Sequence, residues 1–475
     1  MRLKLFLVTI LISIAMNAQT KYLEINEEIE NGNFSNACDL IDNIIAKENL
    51  SETEIYDLEF EKERMNRVRL DFRKTSEDVL TYLTKYFPDA DQDFLKQFEK
   101  DNSLEHMIID GEKFYFNRSH RNLFRINKKA KAEKEKIDGD YVDGLDVFLE
   151  KYIPQVVKKS EELADSLISP IKLKLNYTLT VDKNVVPDGE VIRCWMPYPR
   201  EGHKRQTNIQ FLSTNCDEYI IASNKNPQRT IYMEKRAIAG EKTLFNFEVS
   251  YVACAEYYEI DPDKVNDYNI SSDEYKLYTS ERLPHIMFSD RIKKISEKVV
   301  GDEKNSYLKA KKLFTWIHNN IPWAGAREYS TIKNIPEYSL ENMHGDCGIK
   351  TLLFITLCRY NGIPAKWQSG WMLHPGNINL HDWGEIYVEG YGWIPVDQSF
   401  GITNVKEEEE AQYFFLGGMD AYRLIVNDDY SQPLFPAKVF PRSETIDFQR
   451  GEVEWKGGNL YFNKWDYHMD VEYIE

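Results

Sequence analysis

Two cysteines stand eleven positions apart in ENMHGDCGIKTLLFITLCRYNGIPAKWQSGW, residues 341–371. A thiol attacks only as the thiolate. Its chemistry therefore turns on what lowers its pKa, which base takes its proton, and which donors meet an oxyanion. Cys347 sits where a loop becomes a helix predicted over 348–360. The positive end of a helix favours a thiolate, and the first-turn N–H groups, lacking helical partners, can face an oxyanion. Cys358 lies three turns further on, among Leu, Ile and Phe. Its N–H is used by the helix and its surroundings raise its pKa, so it reads as an inert core thiol. Asp346 places negative charge beside Cys347, which suits a reactive thiol only if that carboxylate points away or caps the helix.

A base must come from elsewhere. His381, in NLHDWGEIYV, begins one strand, and Asp397, in WIPVDQS, ends the next; Gly390-Tyr391-Gly392 marks the hairpin between them. Pairing about Tyr391 sets 385 opposite 397, so His381 and Asp397 share a sheet face. That register leaves them four residues apart along the ladder, so contact requires a bulge or bend. The carboxylate would orient the imidazole and leave its other nitrogen for the thiol. A zinc site from His344, Cys347, His374 and His381 is the competing arrangement. Nothing in the spacing fixes its geometry, and a Cys-His-Asp set accounts for two of the four residues. No metal and no other cofactor is expected.

Three kinds of element must position these groups. Residues 19–165 carry apolar residues at three- and four-residue intervals between charges and are expected to be helical. Residues 168–260 alternate apolar and polar, as in IKLKLNYTLTV and FNFEVSY, with turns at PDG and NKNPQR, and predict an antiparallel β-sandwich. Residues 275–425 mix helices with short strands and hold the candidate chemistry; residues 426–475 read as a β-rich C-terminal extension. The fold class expected is α+β. The 475 residues call for several domains, and 42% hydrophobic content supports real cores. A net charge of −18 argues against nucleic acid and anionic membrane surfaces. MRLK followed by an apolar run twelve residues long and NAQT predicts a signal peptide over 1–18, too short to span a membrane. The six cysteines show no close repeated spacing, so no disulfide framework is expected.

In the order HGDCG, GIPAKWQSGW, HDWGEIYVEG and YGWIPVDQSFG, residues 310–400 resemble the transglutaminase-like superfamily, a branch of the papain-like cysteine enzymes. The resemblance implies a papain-like core in which Cys347, His381 and Asp397 fall on the triad positions. It implies a thioester intermediate formed from an amide or peptide substrate. Trp323, in IPWAG, becomes a candidate wall of the oxyanion site, and Trp383 a shield of the imidazole. VDQSFG replaces the family's more usual aspartate-proline-threonine, and no calcium site like that of animal transglutaminases is found. Hydrolysis, as by a cysteine protease or amidase, is expected over acyl transfer to an amine, because water needs no acceptor site. The alternative is a binding or assembly protein that keeps the fold without catalysis. With an export signal, the resemblance to secreted bacterial proteins implies a periplasmic or extracellular location.

Overall fold

The computed structural model describes residues 22–405 and 409–474. The signal peptide expected over 1–18 lies outside the described residues. The chain divides into two compact units between Gly139 and Asp140.

In the first unit, helices Phe34–Lys47 and Glu52–Asp71 form a hairpin around a core of Ile25, Phe34, Ile41, Met65 and Val68. The second helix starts at Ser51 because a capping box closes it. The Ser51 hydroxyl accepts from Glu54 N, while the Glu54 carboxylate accepts from Ser51 N at 2.8 Å. The region is not wholly helical. Strands His106–Ile109 and Glu112–Phe116 form an antiparallel hairpin, with Phe72–Lys74 on its other side. Asp110 and Gly111 join them at φ of 49° and 85°, the left-handed pair a two-residue hairpin requires. That Asp-Gly, flanked by apolar runs, was the available signal.

The second unit holds everything else. Its first helix, Gly144–Leu163, was expected to belong with the N-terminal region. Instead it buries Leu149, Ile153, Val156 and Val157 in the same core as Phe314, Leu353 and Phe414. The helical run still ends near 165, but the division between the two compact units falls before this helix, between 139 and 140. An apolar stripe goes to the largest surface that can cover it.

The β-sandwich is built as its alternation demands. Leu173, Leu175, Tyr177, Leu179 and Val181 all point into a core shared with Phe245, Phe247, Val249 and Tyr251. The residues expected to form a separate C-terminal extension complete this sandwich. Trp465–Ile474 pairs with Leu167–Val181 along its length, and Glu452–Trp455 pairs with Val191–Pro197. Without them, two long hydrophobic strands would carry unpaired edges.

The remaining sheet has the order Gly392–Val396, Asn377–Val388, Ala365–His374, Arg423–Asn427, all antiparallel. The buried helix Cys347–Tyr360 packs on one face, setting Ile349, Leu352, Leu353 and Leu357 against Trp367, Ile386 and Val388. This is an α+β fold, a helix laid on an antiparallel sheet beside a sandwich. No described helix is long and apolar enough to cross a membrane.

Gly370 pairs with His381 in the central ladder, and a Cβ built on it would overlap the carbonyl oxygen of Leu424. Gly370→Ala is therefore expected to cost about 3 kcal/mol by forcing two strands apart. Chemical denaturation checks this; an unchanged midpoint would show that the strands give way freely.

Candidate active site

The hairpin register differs from the expected one. Glu385 pairs with Pro395 and Val388 with Gly392, so the turn is centred one residue earlier, on Gly390. Both Gly390 and Gly392 hold positive φ, 100° and 87°. The shift sets Asp397 two ladder positions from His381 instead of four, on the same face, within diagonal reach. No bulge is needed: His381 Nε2 lies 2.7 Å from Asp397 Oδ2.

Asp397 is fully buried, and each oxygen is engaged. Oδ2 also accepts from Arg423 Nη1 at 2.9 Å, and Oδ1 accepts from Ser399 N and Phe400 N, each at 3.0 Å. Burial pushes this carboxyl up, but the His381 and Arg423 charges and these donors outweigh it and hold it at about 2. Asp397 is thus a carboxylate that can only accept, so Nε2 carries the proton and Nδ1 the lone pair. Burial, with the Arg423 charge, lowers the His381 pKa against the pull of Asp397. The result is a neutral imidazole with a free basic nitrogen. Its ring lies 26° from the plane of Trp383, which is fully buried and donates from Nε1 to Gln368 Oε1 at 2.8 Å.

Cys347 opens its helix, as the sequence predicts, and stays partly exposed. Asp346 is the helix N-cap: its Oδ1 accepts from Ile349 N at 3.3 Å and from the Tyr329 hydroxyl at 2.6 Å. The Tyr329 hydroxyl in turn accepts from Gly348 N at 3.1 Å, and a Cβ on Gly348 would overlap it. Two first-turn amides are therefore spent on side chains. Lys350 N closes the turn onto Asp346 O, leaving the Cys347 N–H without a hydrogen bond among the described residues. Trp323 lies alongside, bridged to Gly345 in the loop before Cys347, and is 38% exposed.

Among the described residues no hydrogen bond joins the Cys347 thiol to His381. Among the described residues the hydrogen bond of Cys347 Sγ goes to Asp382 Oδ2, at 3.3 Å. Asp382 follows His381 in the strand and so faces the other way, toward the helix. Gln449 Nε2 ties the two together, donating to His381 O and to Asp382 Oδ1, each at 2.7 Å. Burial, then Asp382 and Asp346, raise the thiol well above its usual pKa, so the resting sulfur is protonated. Burial also raises Cys358. All six cysteines are free. His344 and His374 stand apart from this chemistry. His344 packs edge-on against Tyr338, and His374 pairs with Asp420 at 3.0 Å. No cluster of His, Cys, Asp and Glu suited to a metal is found among the described residues.

Sequence reasoning missed Asp382, Tyr329, Arg423 and Gln449. Strict strand alternation would have aimed Asp382 at the helix once His381 was aimed away. The other three come from distant segments and left no local signal.

Residues 293–398 match the model of the family described as the Transglutaminase-like superfamily, so this segment is a transglutaminase-like domain. Among curated proteins, the chain is 24% identical over 260 residues to an uncharacterized protein of Haemophilus influenzae, covering 47% of this chain and 68% of that one. It is 24% identical over 187 residues to the uncharacterized protein YebA of Bacillus subtilis, covering 35% of this chain and only 25% of that relative. Among solved structures, a candidate cysteine protease from Cytophaga hutchinsonii is similar at 14% identity and TM-score 0.44, over 65% of this chain and 92% of that one. The periplasmic domain of TgpA from Pseudomonas aeruginosa is similar at 11% identity and TM-score 0.26, over 52% and 91%.

Arg423 gives this site an acid signature. A carboxylate held at about 2 contributes stability that is present above its unfolded pKa, about 3.9, and is lost as pH falls through the folded value. Arg423→Gln is expected to raise the Asp397 pKa and to cost about 3–5 kcal/mol by leaving buried carboxylates without their cation. Acid titration followed by circular dichroism should show unfolding beginning at higher pH in the variant. Coincident acid transitions would show that Arg423 does not set the charge of Asp397.

Proposed function

We propose that this protein is a thiol hydrolase of amide or peptide bonds, with Cys347 the nucleophile, His381 the base and Asp397 its orienting carboxylate. The observation that carries the reading is the His381–Asp397 pair at 2.7 Å, which leaves Nδ1 as a free base in a domain whose helix opens on Cys347. For reaction, Cys347 Sγ leaves Asp382 and meets Nδ1. Contacts of this kind commonly tighten only once substrate is bound.

The thiol proton passes to Nδ1, and the sulfur electron pair attacks the carbonyl carbon. The carbonyl oxygen takes up negative charge, which the unspent Cys347 N–H can receive; Trp323 forms the neighbouring wall. Collapse breaks the C–N bond as Nδ1–H protonates the leaving amine, giving a thioester. Water then loses a proton to Nδ1 and attacks the thioester, and the sulfur leaves as thiol. Asp397 stays ionised throughout and stabilises the imidazolium. Trp383 keeps water from the ring. An amine in place of water would make the same site an acyltransferase, but a dedicated amine pocket is not needed for hydrolysis. The apolar run over 5–16 supports action after export, in the periplasm or outside the cell.

One observation favours the second reading, a binding protein that keeps the fold: the resting thiol faces Asp382 and not His381. Substitution separates the two. Cys347→Ala should abolish amide hydrolysis without lowering the melting temperature, and His381→Ala should slow acylation by about 10²–10⁴. Iodoacetamide should label Cys347 ahead of Cys358 in the folded protein, read by peptide mass spectrometry. Equal or reversed labelling would remove the nucleophile assignment.

A further inference from the structure

One cation in the catalytic helix has no use in the scheme above. Lys350 is 3% exposed, yet no side-chain hydrogen bond or ion pair engages its ammonium among the described residues. An ammonium on so deeply buried a side chain is costly and is normally paired or neutralised. Lys350 stands three residues after Cys347, and that spacing places their Cβ atoms about 5–6 Å apart on one helix face. Three titratable groups lie near it. Cys347 lies on its own helix, Asp397 comes from the loop after the hairpin, and His318 from helix Ser306–Asn320.

Two of these cannot satisfy it. Each oxygen of Asp397 is already engaged, by His381, Arg423 and two backbone amides. His318 is kept from protonating by burial first and by the Lys350 charge second, and its Nδ1 accepts from Ile402 N at 3.2 Å. What remains is the sulfur. In the resting state Cys347 is a thiol bound to Asp382, so its side chain gives the ammonium no full charge. That state is hostile to a thiolate, because Asp382 and Asp346 both oppose it.

We propose that Lys350 is the counter-cation of the Cys347 thiolate, receiving the negative charge that forms on sulfur when the thiol proton moves to His381. The inference rests on the thiol-hydrolase reading. In the step, the S–H bond breaks, the proton binds Nδ1, and the electron pair stays on Sγ; Lys350 keeps all three of its protons. Lys350 is a positioning residue for charge: it acts through the sulfur and need not touch the substrate. The arrangement explains why a lysine is held where an apolar residue would pack at lower cost. Burial lowers its pKa to about 8, with Asp397 and Cys347 opposing the fall, so it remains charged at neutral pH.

The test is the pH profile of Cys347 alkylation by iodoacetamide in the full chain, measured for wild type, Lys350→Met, Lys350→Gln and Lys350→Arg. Both neutral variants should raise the apparent thiol pKa by about one unit and slow alkylation at pH 7 about tenfold, while Lys350→Arg keeps the wild-type profile. Because no ion pair is lost, Lys350→Met should melt at or above the wild-type temperature. Wild-type profiles in both neutral variants would overturn the role, and so would their failure to fold, since the ammonium would then be structural. If wild-type Cys347 is not alkylated ahead of Cys358, the thiol-hydrolase reading itself falls. If it is, and the lysine variants match it, only the role of Lys350 falls.

Discussion

Arg423 is the charge on which the second unit is assembled. It is fully buried and touches two carboxylates that are equally buried, Asp397 at 2.9 Å and Asp420 at 2.8 Å. Each carboxylate in turn meets a histidine, His381 and His374 respectively. The guanidinium also lies over the rings of Phe400 and Trp383, 4.4 and 5.7 Å from their centroids. Taking such a charge out of water is repaid only if all its partners arrive together. Its position therefore ties the hairpin that carries His381, the loop after it and the edge strand Arg423–Asn427 into one arrangement. A lysine, with a single point of charge, could not bridge two carboxylates and stack as the planar guanidinium does.

The pleat of one strand divides the site electrically. On the His381 side, Arg423 stands behind Asp397 and keeps it ionised, and burial keeps the imidazole neutral. On the Asp382 side, carboxyl groups gather: Asp346, Asp382, Asp447 and Glu444, answered mainly by Arg450, which makes a two-pronged contact with Glu328 at 3.0 and 2.8 Å. Burial, and after it the neighbouring Asp447 and Asp346 charges, push Asp382 well above the usual carboxylate range. The Cys347 thiol rests on the acidic side, and the His381 imidazole lies on the other. Gln449, from the C-terminal segment, holds both sides of that strand at once.

Much of this was legible in the sequence because it depends on local period. The alternation from Leu173 to Val181, the helix opening at Cys347, and Asp346 as one possible cap all follow from neighbours in the chain. The hairpin was legible too, but its register was not. Two glycines flank Tyr391, and only the pairing of Val388 with Gly392 decides where the turn is centred. That single step brings His381 onto Asp397. Partners supplied from far away were invisible: Tyr329 on Asp346, Arg423 on Asp397, and Gln449 on Asp382. So was the destination of the last strands, since a strand's own sequence does not name the edge it will cover. The helix Gly144–Leu163 was misassigned for a similar reason. Its stripe shows that it must pack, not on what.

The pairing of Trp465–Ile474 with Leu167–Val181 has a consequence for how the molecule comes into being. A ribosome makes the first of these strands before the helix Cys347–Tyr360 and the second after it. Until the later strand emerges, the nascent sandwich has an open hydrogen-bonding edge and an uncovered flank. The sandwich sheet can close only once the whole transglutaminase-like segment has left the exit tunnel. Its maturation is then a late event, and a chain interrupted anywhere before that strand would expose an adhesive edge to its neighbours and to quality-control proteases.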